Sequence, residues 1–106
     1  MKRKTLVLIA SSLGLLGGVG CSSEATHTAQ ALEHAQAAVK ESTIQGIQEH
    51  AQVSLTHVQA AEQAKEAGAE HLTAAETALN NALKAQDAGS AKMAVEGAES
   101  HLKMIQ

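Results

Sequence analysis

Six histidines carry most of the chemical potential of this 106-residue chain. His50 and His57 stand seven residues apart in the stretch Ile47 to Ala61, whose apolar residues recur at the spacing of an amphipathic helix. Seven residues are two helical turns, so the two rings fall on one stripe, about 10 Å apart along the axis. His27 and His34 repeat that interval. His34, His50, His57, His71 and His101 each directly precede a residue of the expected buried face: Ala35, Ala51, Val58, Leu72 and Leu102. That order puts every one of these rings at the edge of a buried stripe.

Imidazole is a borderline ligand suited to copper, nickel and zinc. A tight site needs three or four ligands converging on one point, which within one helix means spacings of three or four residues. No two histidines here have that spacing. His101 and Met104, an imidazole and a thioether three residues apart, are the one short-range pair, and they suit copper. A metal site must therefore be assembled between helices, with edge histidines meeting across a seam. Glu33, Glu49 and Glu70 each precede a histidine but point about 100° away from it, as partners of neighbouring groups rather than co-ligands. The competing reading of each histidine is a solvated edge residue, and of Met104 a core residue.

Other chemistries find little support. No serine–histidine–aspartate order stands out, and the glycines are too scattered for a phosphate-binding loop. One cysteine excludes an internal disulfide framework and a cysteine-based zinc site. We therefore expect no enzyme. Beyond residue 20 the chain has five Lys and no Arg against eleven Asp and Glu, a net charge of −6. That balance disfavours nucleic acid, which needs basic patches, and favours cations. Glu62, Glu66 and Glu70, four residues apart, read either as a solvated face or as a carboxylate patch that attracts cations.

Residues 1–20 have the form of a bacterial export signal: Lys2-Arg3-Lys4, an apolar run from Leu6 to Leu16, then small residues. The run is too short for a comfortable membrane span. Leu16-Gly17-Gly18-Val19-Gly20-Cys21 resembles the lipobox of bacterial lipoproteins, which implies cleavage before Cys21 and lipidation of that residue. Ser22, rather than Asp, follows the cysteine, and the lipoprotein sorting rule then implies the outer membrane, on the periplasmic face of the envelope. Acyl chains attach a protein through buried methylenes, about 0.8 kcal/mol each, without a spanning helix. Residues 21–26 would form a lipidated tether and 27–106 the folded domain.

The domain reads as all-α. It lacks Phe, Tyr, Trp and Pro, and its 44% of hydrophobic residues are dominated by alanine. Thr26 or Thr28 is expected to cap a first helix ending between Lys40 and Ser42. Ser42 and Gln45 match a capping box for a second, closed by Gly68 as a left-handed residue. A third would run from about Ala69 to Ala88, with Gly89 closing it and Ser90 capping the fourth. Inward residues of the fourth would be Met93, Val95, Ala98, Leu102 and Ile105. Short links favour an antiparallel up-down-up-down four-helix bundle with a thin, alanine-lined core.

Against this background, Gln48-Glu49-His50-Ala51 with Ser54-Leu55-Thr56-His57 and Ala60-Ala61 resembles the small metal-binding protein family. His34-Ala35-Gln36-Ala37-Ala38-Val39 is similar to that family's first repeat, and Glu99-Ser100-His101-Leu102 fits its last. The resemblance implies an exported four-helix bundle that binds divalent metal reversibly, copper prominently. Carried over by position, the implied ligands are His27, His34, His50, His57 and His101, with His71 beside them. Many repeat positions here hold Ala, Gln, Lys or Asn in place of histidine, so capacity and affinity are expected below the family's. The expected function is thus an envelope lipoprotein binding or buffering copper, nickel or zinc, its partners being metal ions and, through the lipid anchor, the membrane. The alternative is a structural lipoprotein whose helices pair with another envelope component or self-associate, since the thin core and heptad register both allow helix exchange.

Overall fold

The computed structural model describes residues 26–105, which form four helices: α1 His27–Lys40, α2 Ile44–Gln63, α3 Ala69–Lys84 and α4 Ala88–Ile105. The signal, the lipobox and Cys21 lie outside the described residues. The fold is all-α, and each helix packs on its chain neighbours while α1 also meets α4, which closes the ring of a four-helix bundle. Cross-helix contacts run antiparallel: Gln48 at the start of α2 meets the end of α3, and Glu62 at the end of α2 meets Thr73 near the start of α3.

Alanine dominates the interior. Ala31, Ala35 and Ala38 of α1 and Ala51 and Ala61 of α2 are fully buried, with Ile47, Val58, Leu72, Leu79, Val95 and Leu102 supplying the bulk. Small side chains let backbones approach, and a buried hydroxyl uses that proximity: Ser54 Oγ donates to the Ala31 carbonyl oxygen at 2.7 Å. Thr28 also occupies a core position, 2% exposed. Met93 does not, being 72% exposed; the α4 stripe passes through Ala91 and Val95 on either side of it.

Helix ends are fixed by short polar groups, in part at different positions from those the sequence suggested. Thr26 caps α1 by accepting from the Ala29 N–H at 3.0 Å. Thr43, not Ser42, caps α2, accepting from the Gly46 N–H at 3.0 Å. Lys65, not Gly68, takes the left-handed residue after α2 (φ 58°), and the Glu66 N–H reaches back to the Ala61 carbonyl at 3.0 Å. That six-to-one bond is the Schellman closure. Gly68 instead starts α3, with φ 90°. At the next link α3 stops at Lys84, and Asp87 caps α4 through the Ser90 N–H at 2.7 Å, so Gly89 and Ser90 lie inside its first turn. Asp87 takes the cap from Ser90 because its carboxylate accepts both the Ser90 N–H and the Ser90 hydroxyl.

Two long-range clasps tie open helix ends to other elements. Glu66 accepts from the backbone N–H of His27 and Thr28, each at 3.1 Å, and from Thr28 Oγ1 at 2.8 Å, so it satisfies the open N-terminus of α1. Gln48 Nε2 lies 3.1 Å from the carbonyl oxygens of Ala82, Leu83 and Ala85 and donates to the C-terminus of α3.

The second hairpin repeats the first at an interval of 44 residues. Lys40 and Ile44, which bound the first turn, correspond to Lys84 and Ala88, which bound the third. Buried Ala31, Ala38, Ala51 and Val58 correspond to buried Ala75, Ala82, Val95 and Leu102.

Two glycines separate backbone strain from helix propensity. A Cβ on Gly68 would sit 2.6 Å from Ile105 Cγ1 on a positive-φ backbone, so Gly68→Ala should cost about 1–3 kcal/mol. Gly97 is exposed within α4 and a Cβ there meets only Ala78 Cβ at 4.0 Å, so Gly97→Ala should stabilise by about 0.5–1 kcal/mol. Thermal unfolding followed by circular dichroism checks both signs.

Candidate metal centre

The sequence places the histidines on helix edges; the fold brings those edges together along two seams. Four rings form a zigzag row between α1 and α2. His27 stacks on His57 with centroids 5.8 Å apart, His57 on His34 at 5.5 Å, and His34 on His50 at 6.2 Å. The row alternates between helices because the chains run antiparallel, so a step of seven residues up α1 matches a step of seven down α2. Carboxylates stand at both ends. Glu41, in the turn after α1, contacts His50 Nε2 through Oε2 at 3.2 Å, and Glu66 holds the backbone beneath His27.

The other seam carries one pair. His71 of α3 and His101 of α4 have Nδ1 atoms 3.3 Å apart and centroids 5.5 Å apart. Two nitrogens bound to one tetrahedral ion at 2.0–2.1 Å stand about 3.3 Å apart, so this pair already has the separation of a chelate. Two imidazoles on one such ion have centroids about 5 Å apart, close to the spacings in the α1–α2 row. Among the described residues no three His, Cys, Asp or Glu groups converge into a ready metal cluster. The unit present in this fold is a pair.

All six predicted histidines are therefore gathered into these two sets, His27, His34, His50 and His57 in one, His71 and His101 in the other. Met104 is 64% exposed, so it is not the core residue of the competing reading. The acid beside His50 is Glu41, nine residues earlier, and not the adjacent Glu49, which is exposed. Its approach depends on the turn between α1 and α2, which heptad spacing does not encode. Glu62, Glu66 and Glu70 do not form one face. The helix ends at Gln63, Glu66 turns to the α1 N-terminus, and Glu70 lies exposed at the start of α3.

Protonation of His57 is constrained. Burial lowers the pKa of His57 below its ordinary 6.5, and the neighbouring charges of His34 and His27 lower it further. Burial alone would push Glu66 up, but the Thr28 hydroxyl, the N–H groups of Thr28 and His27 and the His27 charge outweigh it, so its carboxylate stays below the usual range. On the α2–α3 side, burial and then the shared proton and like charge of Glu76 push Glu62 up, against a weaker pull from Thr73.

The four-helix bundle thus presents imidazole nitrogens in pairs across its seams. The description small metal-binding protein is that of the family whose model matches residues 1–106, and the chain belongs to that family. Neither the curated proteins nor the solved structures contain a match.

Because the folded pKa of His57 lies below 6.5, its contribution to stability is complete above that pH and is lost as pH falls through the lowered value. Melting temperature should therefore drop between pH 7.5 and 5, and drop less in His57→Gln. Glu62, shifted upward, changes stability in the opposite sense, so the comparison that counts is wild type against His57→Gln in the same buffers. Equal acid losses in both proteins would remove His57 from this role.

Proposed function

We propose that the protein is a lipid-anchored envelope protein that binds and buffers divalent metal ions, copper, nickel or zinc, as reversible cargo. The observation that carries this reading is the row of four imidazoles along the α1–α2 seam, within a fold whose family is one of metal-binding proteins. Imidazole binds these ions only as the neutral ring. The lowered pKa of His57 keeps that ring in its ligand form through the neutral range. Rings at a seam on the bundle surface also keep ions within reach of solvent, which suits exchange better than permanent retention.

The anchor in this reading is Cys21, lipidated after removal of residues 1–20, on the periplasmic face of the outer membrane. No described helix is long and apolar enough to cross a membrane, and attachment through acyl chains needs none. The net negative body carries cations as its natural cargo, and no enzymatic role is assigned to it.

Calorimetric titration of the full-length protein in detergent with Cu²⁺, Ni²⁺ and Zn²⁺ at neutral pH should show micromolar or tighter binding with a defined stoichiometry. Affinity should fall below about pH 6 as protons compete for the rings, and the His50→Ala, His57→Ala double variant should lose ions. Heat that does not saturate at millimolar metal would count against the whole reading.

Lipidation has its own test. Labelled palmitate fed to cells should appear in the wild-type protein and be absent from Cys21→Ser, whereas equal labelling would place the acyl group elsewhere.

A further inference from the structure

The 44-residue repeat assigns a counterpart to every rung of the α1–α2 row. In an antiparallel seam, residues that face one another keep a constant sum of sequence numbers, because each step along one helix is undone on the other. His27 with His57 and His34 with His50 obey this rule, two turns apart. Shifted by 44 residues, His27 and His57 become His71 and His101, which the fold does bring together, with Nδ1 atoms 3.3 Å apart. The same shift carries His34 and His50 to Ala78 and Ala94. Those alanines are half-buried beside the core residues Leu79 and Val95, just as His34 and His50 precede Ala35 and Ala51. The second hairpin thus matches the first with one rung missing.

We propose that His71 and His101 form a metal site of their own, a two-nitrogen chelate for one divalent ion that fills independently of the α1–α2 row. The inference rests on the metal-binding reading above and adds ligand sets and a count. Within the row, His57 stacks on both His27 and His34, and His34 on both His57 and His50, so four rings provide two pairs. With His71 and His101 the chain provides three. Each pair supplies two of the four positions of a tetrahedral ion, and water or another small ligand from solution fills the others. The α3–α4 pair has its donor nitrogens already at chelate distance, so it is the first to fill.

The test is Zn²⁺ titration of the full-length protein in detergent, with stoichiometry from calorimetry and site occupancy from imidazole NMR. Wild type should take up three ions, with His71 and His101 resonances shifting first. His71→Ala and His101→Ala should each take up two and leave the shifts of the other four rings unchanged, since losing either nitrogen must have the same result. The Ala78→His, Ala94→His double variant, with its helicity confirmed by circular dichroism, should take up four. Three ions retained by His71→Ala or His101→Ala would overturn the independent site while leaving metal binding intact. Three ions in the folded double variant would overturn the rung as the binding unit. No uptake by wild type would overturn the metal-binding reading itself.

Discussion

The closeness of α1 to α2 depends on alanine. Ala31, Ala35, Ala38 and Ala51 of these two helices are fully buried, and Ser54 of α2 bonds the Ala31 carbonyl of α1 at 2.7 Å, a contact that larger neighbours would hold open. Interaxial distance follows the side chains at the contact, about 8–10 Å across the usual range. Bulkier core residues would move the axes apart and take the edge rings out of one another's reach. Alanine buries little apolar area, however, so the same choice weakens the hydrophobic drive. The clasps made by Glu66 and Gln48 act where that drive is thin, each satisfying an open helix end on another element. The chemistry of the seam and its modest packing have one cause.

A row of like rings is an electrostatic constraint as well as a ligand set. Two unit charges 5.5 Å apart, the separation of His34 and His57, repel by about 1–3 kcal/mol across the range from bulk water to an effective dielectric of 20. On top of the cost of its burial, protonation of His57 beside a charged His34 or His27 is therefore disfavoured. A divalent ion between two neutral rings would remove that conflict, since one cation attracted by both lone pairs would stand in place of two mutually repelling protonated rings. In the proposed function, proton and metal would act on the same rings in opposite senses, one pushing the seam apart and the other drawing it together.

Much of this was legible in the sequence. Apolar spacing gave four helices and the bundle, and the residue after each of five histidines indeed lies buried. His27 follows the same rule through Thr28, which apolar patterning passed over because a threonine is polar until its hydroxyl finds Glu66. Caps shifted by one to three residues where two candidates competed, as with Ser42 and Thr43, because hydrogen-bond geometry rather than residue type chooses between them. Met93 was misplaced inward because Ala91 and Val95, small or two residues away, set the true stripe. Glu41 and Gln48 act across turns and between hairpins, which no local spacing encodes. The 44-residue repeat was present throughout in His27/His71, Lys40/Lys84 and His57/His101, but its identities are sparse among ubiquitous alanines.

The fold also bears on how tightly such sites can hold their ions. In a small structural zinc domain the metal closes the core, so binding and folding share one free energy. Here the interior is filled by the chain's own aliphatic residues, α1, α2 and α4 are capped by Thr26, Thr43 and Asp87, Glu66 holds the start of α1, and Gln48 ties α2 to the end of α3. The rings sit outside that framework at its seams. Metal then stabilises the fold only through mass action, about 2.7 kcal/mol at a hundredfold excess over Kd, and its departure leaves the bundle standing. Two-nitrogen pairs with half of the coordination sphere left to outside ligands fit the same logic. A protein that releases its ions, as proposed for this one, is served by a fold that does not depend on keeping them.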